Sequence, residues 1–194
     1  MGIYMMQQQK WIPIGIKMNN TKNDVLYREV VSKYFDIGTV EPRQLNIEAM
    51  IEECIAIEGK LTWVGYENLE WDFADDKSDA KTCSISKAER NSTWHKNRYN
   101  KIKKVTVFVA CIQGVETKVG ALRVVLYNPF QGSQGAVDYF FIPFDHISDL
   151  NTTCGNGKTR NKRRINFTWN ARLDTYKKIE QYRCSSFEEM CAKK

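Results

Sequence analysis

Long apolar runs are missing from this chain. No stretch approaches the eighteen consecutive apolar residues that a membrane-spanning helix needs. The opening, MGIYMMQQQKWIPIGIK, lacks the basic start, the continuous apolar core and the small-residue cleavage site of a secretion signal. A cytoplasmic protein with no membrane partner is expected. Histidine is scarce: only His95 and His146 occur, and neither lies near paired cysteines. The six cysteines (54, 83, 111, 154, 184 and 191) form no C-x-x-C pair, so zinc is not expected. Those inside apolar runs such as VFVACI read as small hydrophobes. Internal repeats, low-complexity tracts and linkers are also absent. The 194 residues are therefore expected to form one domain, 1–194.

What the chain does have is charge, unevenly placed. The net charge is only +6, yet residues 87–104, KAERNSTWHKNRYNKIKK, carry seven Lys or Arg against one Glu. Residues 157–164, GKTRNKRR, carry five basic side chains and no acid. Solvated faces often look like this. Two such runs, one interleaved with Trp94, His95 and Tyr99, point further, to a polyanion partner. Lys96, Arg98, Lys101, Lys158, Arg160, Lys162, Arg163 and Arg164 are the candidate DNA-binding residues. Lys158 and Lys162 suit phosphate contacts. The three arginines of the second run suit base reading, since Arg can pair bidentately with guanine.

Periodicity predicts helices over 23–36 and 46–60, the second capped by Asn46, closed by Gly59 and striped by Ile47, Met50, Ile51, Cys54 and Ile55. From residue 61 the period changes to strands: LTWVGY, LEWDF, DAKTCSI, KVTVFVACI, ALRVVLYN and AVDYFFIPF. The segment 86–104 reads as helical, with Ser86 and Glu89 as a capping box. A Gly/Asn/Thr/Lys-rich loop runs through Arg164, INFTW reads as a strand, and LDTYKKIEQYR and SSFEEMCAK as closing helices. Helices, a strand meander and helices again predict an α/β or α+β fold.

The acids gather in one place. Residues 67–79 hold six carboxylates, directly before the first basic run. On a strand DAKTCSI, Asp79, Lys81 and Cys83 share a face, with Asp72 across the turn ADDKS and Asp75 and Asp76 solvated in it. Glu58 continues the apolar stripe of the second helix, which places it on the core side unless the fraying helix end releases it to solvent. Converging Asp72, Asp79 and Glu58 would raise one another's pKa, and Mg²⁺ resolves the conflict with a few carboxylates and several waters. Mn²⁺ is expected to substitute. Lys81 would then activate water or stabilise the pentacovalent phosphate.

Asp72 followed by Asp79-Ala80-Lys81 resembles the D-x(n)-(D/E)-x-K signature of the PD-(D/E)XK nucleases. The spacing is most similar to the MutH-like branch and its type II restriction-enzyme relatives: Glu58, thirteen residues, Asp72-Phe73, five residues, then Asp79-Ala80-Lys81. The likeness covers residues 58–85; Asp79 stands where that branch usually has Glu, and no proline precedes Asp72. It implies a restriction-endonuclease-like mixed central sheet flanked by helices. It also implies Mg²⁺-dependent hydrolysis of double-stranded DNA, with Glu58, Asp72 and Asp79 as metal ligands and Lys81 as a catalytic residue. Palindromic cutting would imply a homodimer. The alternatives are a nicking or repair nuclease of the same fold and a non-catalytic basic nucleic-acid-binding module. An HNH reading of TWHKNRYNK has only one histidine to support it.

Overall fold

The computed structural model describes residues 22–64, 70–91, 93–116, 119–131, 135–147, 152–154, 162–168 and 179–194. In chain order its elements are α1 (Lys22–Glu29), α2 (Ile47–Gly59), β1 (Ser78–Ser84), β2 (Ser86–Asn91) and α3 (Thr93–Tyr99). Then come β3 (Lys104–Glu116), β4 (Ala121–Asn128), β5 (Ala136–Pro143), α4 (Phe144–Ile147), β6 (Thr152–Cys154) and β7 (Lys162–Thr168). β8 (Arg183–Cys184) and α5 (Phe187–Ala192) follow.

The strands form two four-stranded sheets. The first has the order β1-β4-β5-β8 and is mixed, because β1 runs parallel to β4 while the other pairs are antiparallel. The second, β2-β3-β7-β6, is antiparallel throughout. Every residue of β4 is buried, as a strand covered on both faces must be. Its alternation shows how. Ala121, Val125 and Tyr127 pack with α1, α2 and α5, while Leu122, Val124 and Leu126 pack with Ala110 and Ile112 of β3. The protein thus has mixed α/β content, with a mixed central sheet flanked by helices. No helix among the described residues is long and apolar enough to cross a membrane.

Several local expectations hold. Asn46 caps α2 by accepting the Ala49 amide at 3.3 Å, and Ile47, Ile51, Cys54 and Ile55 form its buried stripe. The left-handed residue that ends α2 is Lys60, not Gly59. Gly59 is small for another reason: a Cβ there would lie 2.9 Å from the Cys191 carbonyl oxygen of α5. Ser186 caps α5, accepting the Glu189 amide at 3.1 Å, while Glu189 accepts the Ser185 amide at 2.6 Å.

Others are corrected. The described parts of LTWVGY and LEWDF, residues 61–64 and 70–73, form no strand beyond one bridge between Trp63 and Phe73, beside which the Val64 amide donates to the Asp72 carbonyl at 3.0 Å. Residues 86–91 are a strand and not the start of a helix. The Ser86 hydroxyl donates to the Val109 carbonyl across the hairpin, and Glu89 lies 3.8 Å from Lys104. Cross-strand partners, not a capping box, use these side chains. The expected basic loop is shorter than predicted, because Lys162, Arg163 and Arg164 belong to β7, with Lys162 opposite Glu116 and Arg163 opposite Val115. Lys158 and Arg160 lie outside the described residues, as do the first predicted residues and most of LDTYKKIEQYR. Asp138 sits within β5 opposite Leu126 and is ion-paired with Arg183.

Candidate active site

The turn before β1 is built by its own polar atoms. The Asp72 and Phe73 amides both donate to the Ser78 carbonyl at 3.1 Å, and Asp76 accepts the Ser78 amide at 3.0 Å. Lys77 adopts φ 54° and its carbonyl accepts the Gly120 amide at 2.7 Å. A Cβ at position 120 would lie only 2.2 Å from the Asp76 carbonyl oxygen. Only glycine lets the loop before β4 lie against this turn.

Asp76 is half-buried and paired, contrary to the expectation of a solvated turn. Its partner is Arg123, whose guanidinium lies 2.7 Å from the Asp76 carboxylate. Arg123 is 0% exposed. It also donates to the Ser78 hydroxyl and, at 2.7 Å, to the Lys193 carbonyl, and stacks near Phe73 and Phe141. One buried side chain of β4 therefore ties the turn, the start of β1 and the C-terminal segment together. The sequence offered one hint, a lone arginine in the otherwise apolar-flanked ALRVVLYN. Its partner lies 47 positions away, beyond any local pattern. Asp75, by contrast, is exposed and accepts the Thr62 amide.

On this platform Asp79 and Lys81 share the face predicted for them. Lys81 Nζ lies 2.7 and 2.6 Å from the two Asp79 oxygens. Asp79 is only 3% exposed, and Asp72 beside it accepts the Ala80 amide at 2.7 Å. Burial, above all, and Asp72 push the Asp79 carboxyl up to about 8, although the Lys81 ammonium opposes this.

On α2, the carboxylate that feels the Asp72 charge is Glu52. Glu58 accepts a 2.7 Å hydrogen bond from the Tyr34 hydroxyl, at the end of α2 that faces α5. Position 58 is displaced from 52 by roughly 120° around a helix of 3.6 residues per turn. Glu52 instead accepts the Trp63 indole N–H at 3.3 Å. Burial and then the Asp72 charge push it up to about 7. Sequence reasoning missed it because it followed the apolar stripe to its end. The signal that could have found it is Glu48 and Glu52, an i,i+4 pair on an adjoining face.

Between α2 and β3, along the outer edge of β1, lies a cleft of about 390 Å³ lined by Glu48, Glu52, Lys81, Cys83, Cys111 and Ile112 among others. Among the described residues, no three carboxylates, cysteines or histidines stand close enough together to share a metal ion. Asp72 and Asp79 alone form a donor set that suits Mg²⁺, which needs only one or two carboxylates and completes its shell with water and phosphate. Their mutual repulsion is the observation that fits a hard cation.

The basic candidates form a separate surface. Lys96, Arg98 and Lys101 are all exposed, on α3 and the turn after it. No family model, curated protein or solved structure matches the chain.

Proposed function

We propose that this chain is a Mg²⁺-dependent endonuclease of double-stranded DNA, of the PD-(D/E)XK kind and with a restriction-endonuclease-like fold. The observation that carries the reading is Lys81, which lines the cleft and pairs with both oxygens of the buried Asp79, whose carboxyl burial and the neighbouring Asp72 push up. Site-specific cutting in the cytoplasm by a homodimer is the form that the sequence resemblance favours.

In this reading Asp72 and Asp79 hold the cation, with Mn²⁺ able to replace Mg²⁺, and Glu52 takes the place expected of Glu58. When bound, the cation supplies Lewis-acid polarisation of the scissile phosphate and a more acidic water. The chain's own groups do the rest. Asp79 would hold the cation as a carboxylate, its proton released to solvent, and Lys81, no longer paired with it, would face the developing charge on the phosphoryl oxygens. Glu52, raised towards neutrality, is suited to accept a proton from water. The buried Arg123 network keeps β1 in place while this happens.

Supercoiled plasmid and linear phage DNA, incubated with Mg²⁺ or with EDTA, test the proposal. Discrete fragments with Mg²⁺ alone support a site-specific nuclease, and nicked circles support the nicking form. DNA retained in a gel shift but never cut by wild-type protein would overturn catalysis and leave the basic binding module.

A further inference from the structure

The second sheet leaves the cleft as an arm. Ser84 of β1 and Ser86 of β2 are separated only by the buried Ile85, whose amide donates to the Tyr127 carbonyl at 2.9 Å. β2 and β3 then run side by side, from Ser86 opposite Val109 to Asn91 opposite Lys104. Ile112 of β3 lines the cleft, while Lys104 stands at the far end. Eight strand residues span roughly 26 Å at about 3.3 Å each.

The arm ends in α3 and a tight turn. Asn100, with φ 50°, stops the helix, its amide donating to the Lys96 carbonyl at 2.9 Å. The turn that follows holds Ile102, which is 73% exposed, the largest exposure among the large apolar side chains described. Tyr99 beside it is 52% exposed, with the Arg98 guanidinium 5.7 Å from its ring. Lys96, Arg98, Lys101, Lys103 and Lys104 surround them, all exposed. The one acid described on this part of the arm, Glu89, lies near Lys104 at 3.8 Å. An apolar side chain held at a tip and ringed by cations has no partner in water or in an apolar groove. It matches a phosphate-edged groove with stacked bases at its floor.

We propose that the tip of this arm is a DNA wedge: the lysines and Arg98 grip the phosphates while Ile102 enters a base step from the minor groove and bends the duplex. The wedge would act roughly seven or eight base pairs from the cleft, given about 3.4 Å per base pair. The inference rests on the nuclease reading for its partner. It adds a deformation that cutting alone does not require. Apolar wedges of this type kink DNA by about 20–90°.

A short duplex with donor and acceptor dyes at its two ends, mixed with wild-type protein in EDTA and low salt, tests this directly. Binding, read by anisotropy, should bring the dyes closer and raise energy transfer. Ile102→Ala should keep most of the affinity and lose the rise in transfer, and Ile102→Phe should recover it. Bound wild-type protein that leaves transfer unchanged, or an Ile102→Ala variant that bends DNA as wild type does, overturns the wedge. If such a protein still cuts plasmid with Mg²⁺, the nuclease reading survives without it. If wild type neither binds nor cuts, both fall.

Discussion

The cleft and the arm use charge in opposite ways. At the cleft and just behind its lining, few ionisable groups stand together, and each alters its neighbours: the buried Asp79 is pushed up to about 8, Glu52 to about 7, and Lys81 spans both Asp79 oxygens. On the arm, Lys96, Arg98, Lys101, Lys103 and Lys104 stand in water, where screening keeps each contribution small and nearly independent. Burial makes a charge specific and costly. Exposure makes it additive and replaceable. A chemical site belongs in the first environment and a phosphate grip in the second.

Substitutions at the cleft should therefore be severe and those on the arm mild. Asp79→Ala is expected to reduce plasmid cleavage by at least about 10³-fold while leaving DNA affinity equal or tighter, since a carboxylate near phosphate is gone. Cleavage at the normal rate would remove Asp79 from the chemistry. Arg123→Met should cost about 3–5 kcal/mol in urea unfolding, because it strands the half-buried Asp76 without its cation. A loss below about 1 kcal/mol would show that the network matters little.

Glu52→Gln is expected to slow cleavage by about 10²-fold, as loss of one stabilising group does, with Glu58→Gln close to wild type. The reverse order would return the role to Glu58. The pH dependence follows from Asp79 with its sign fixed. Its folded pKa lies above the ordinary carboxylate value, so the folded state holds an extra proton between about pH 4 and pH 8. Stability from this group is complete below that window and is lost as pH rises through 8. In EDTA, the melting temperature should fall from pH 5 to pH 8.5, and Asp79→Asn should flatten the fall. Mg²⁺ should restore the melting temperature at the alkaline end. The smallest effect is expected on the arm. Lys101→Ala should weaken binding to all duplexes alike and lower the salt slope by about one unit.

Much of this was legible in the sequence where neighbours in space are neighbours in the chain. Asn46 caps its helix because capping is local, and the period-two face of Asp79 and Lys81 needs only one strand. The failures are non-local or out of phase. Ser86 and Glu89 have the spacing of a capping box, but β3 pairs with them and makes a strand. Glu58 and Glu52 lie on the same helix, and only the packing of α2 decides that Glu52 meets Trp63 and feels the Asp72 charge while Glu58 meets Tyr34. Asp76 looked solvated because Arg123 is far away in sequence and meets it only once β4 lies beside β1.

Gly120 extends this to variation under selection. Its hydrogen faces the Asp76 carbonyl at a spacing that no methyl group can share. If the proposed nuclease reading holds, position 120 should be as intolerant as position 79 in a saturation library scored for DNA cutting, although it carries no chemistry. Its variants will be lost from the folded pool, whereas Asp79 variants will persist there, folded and inert.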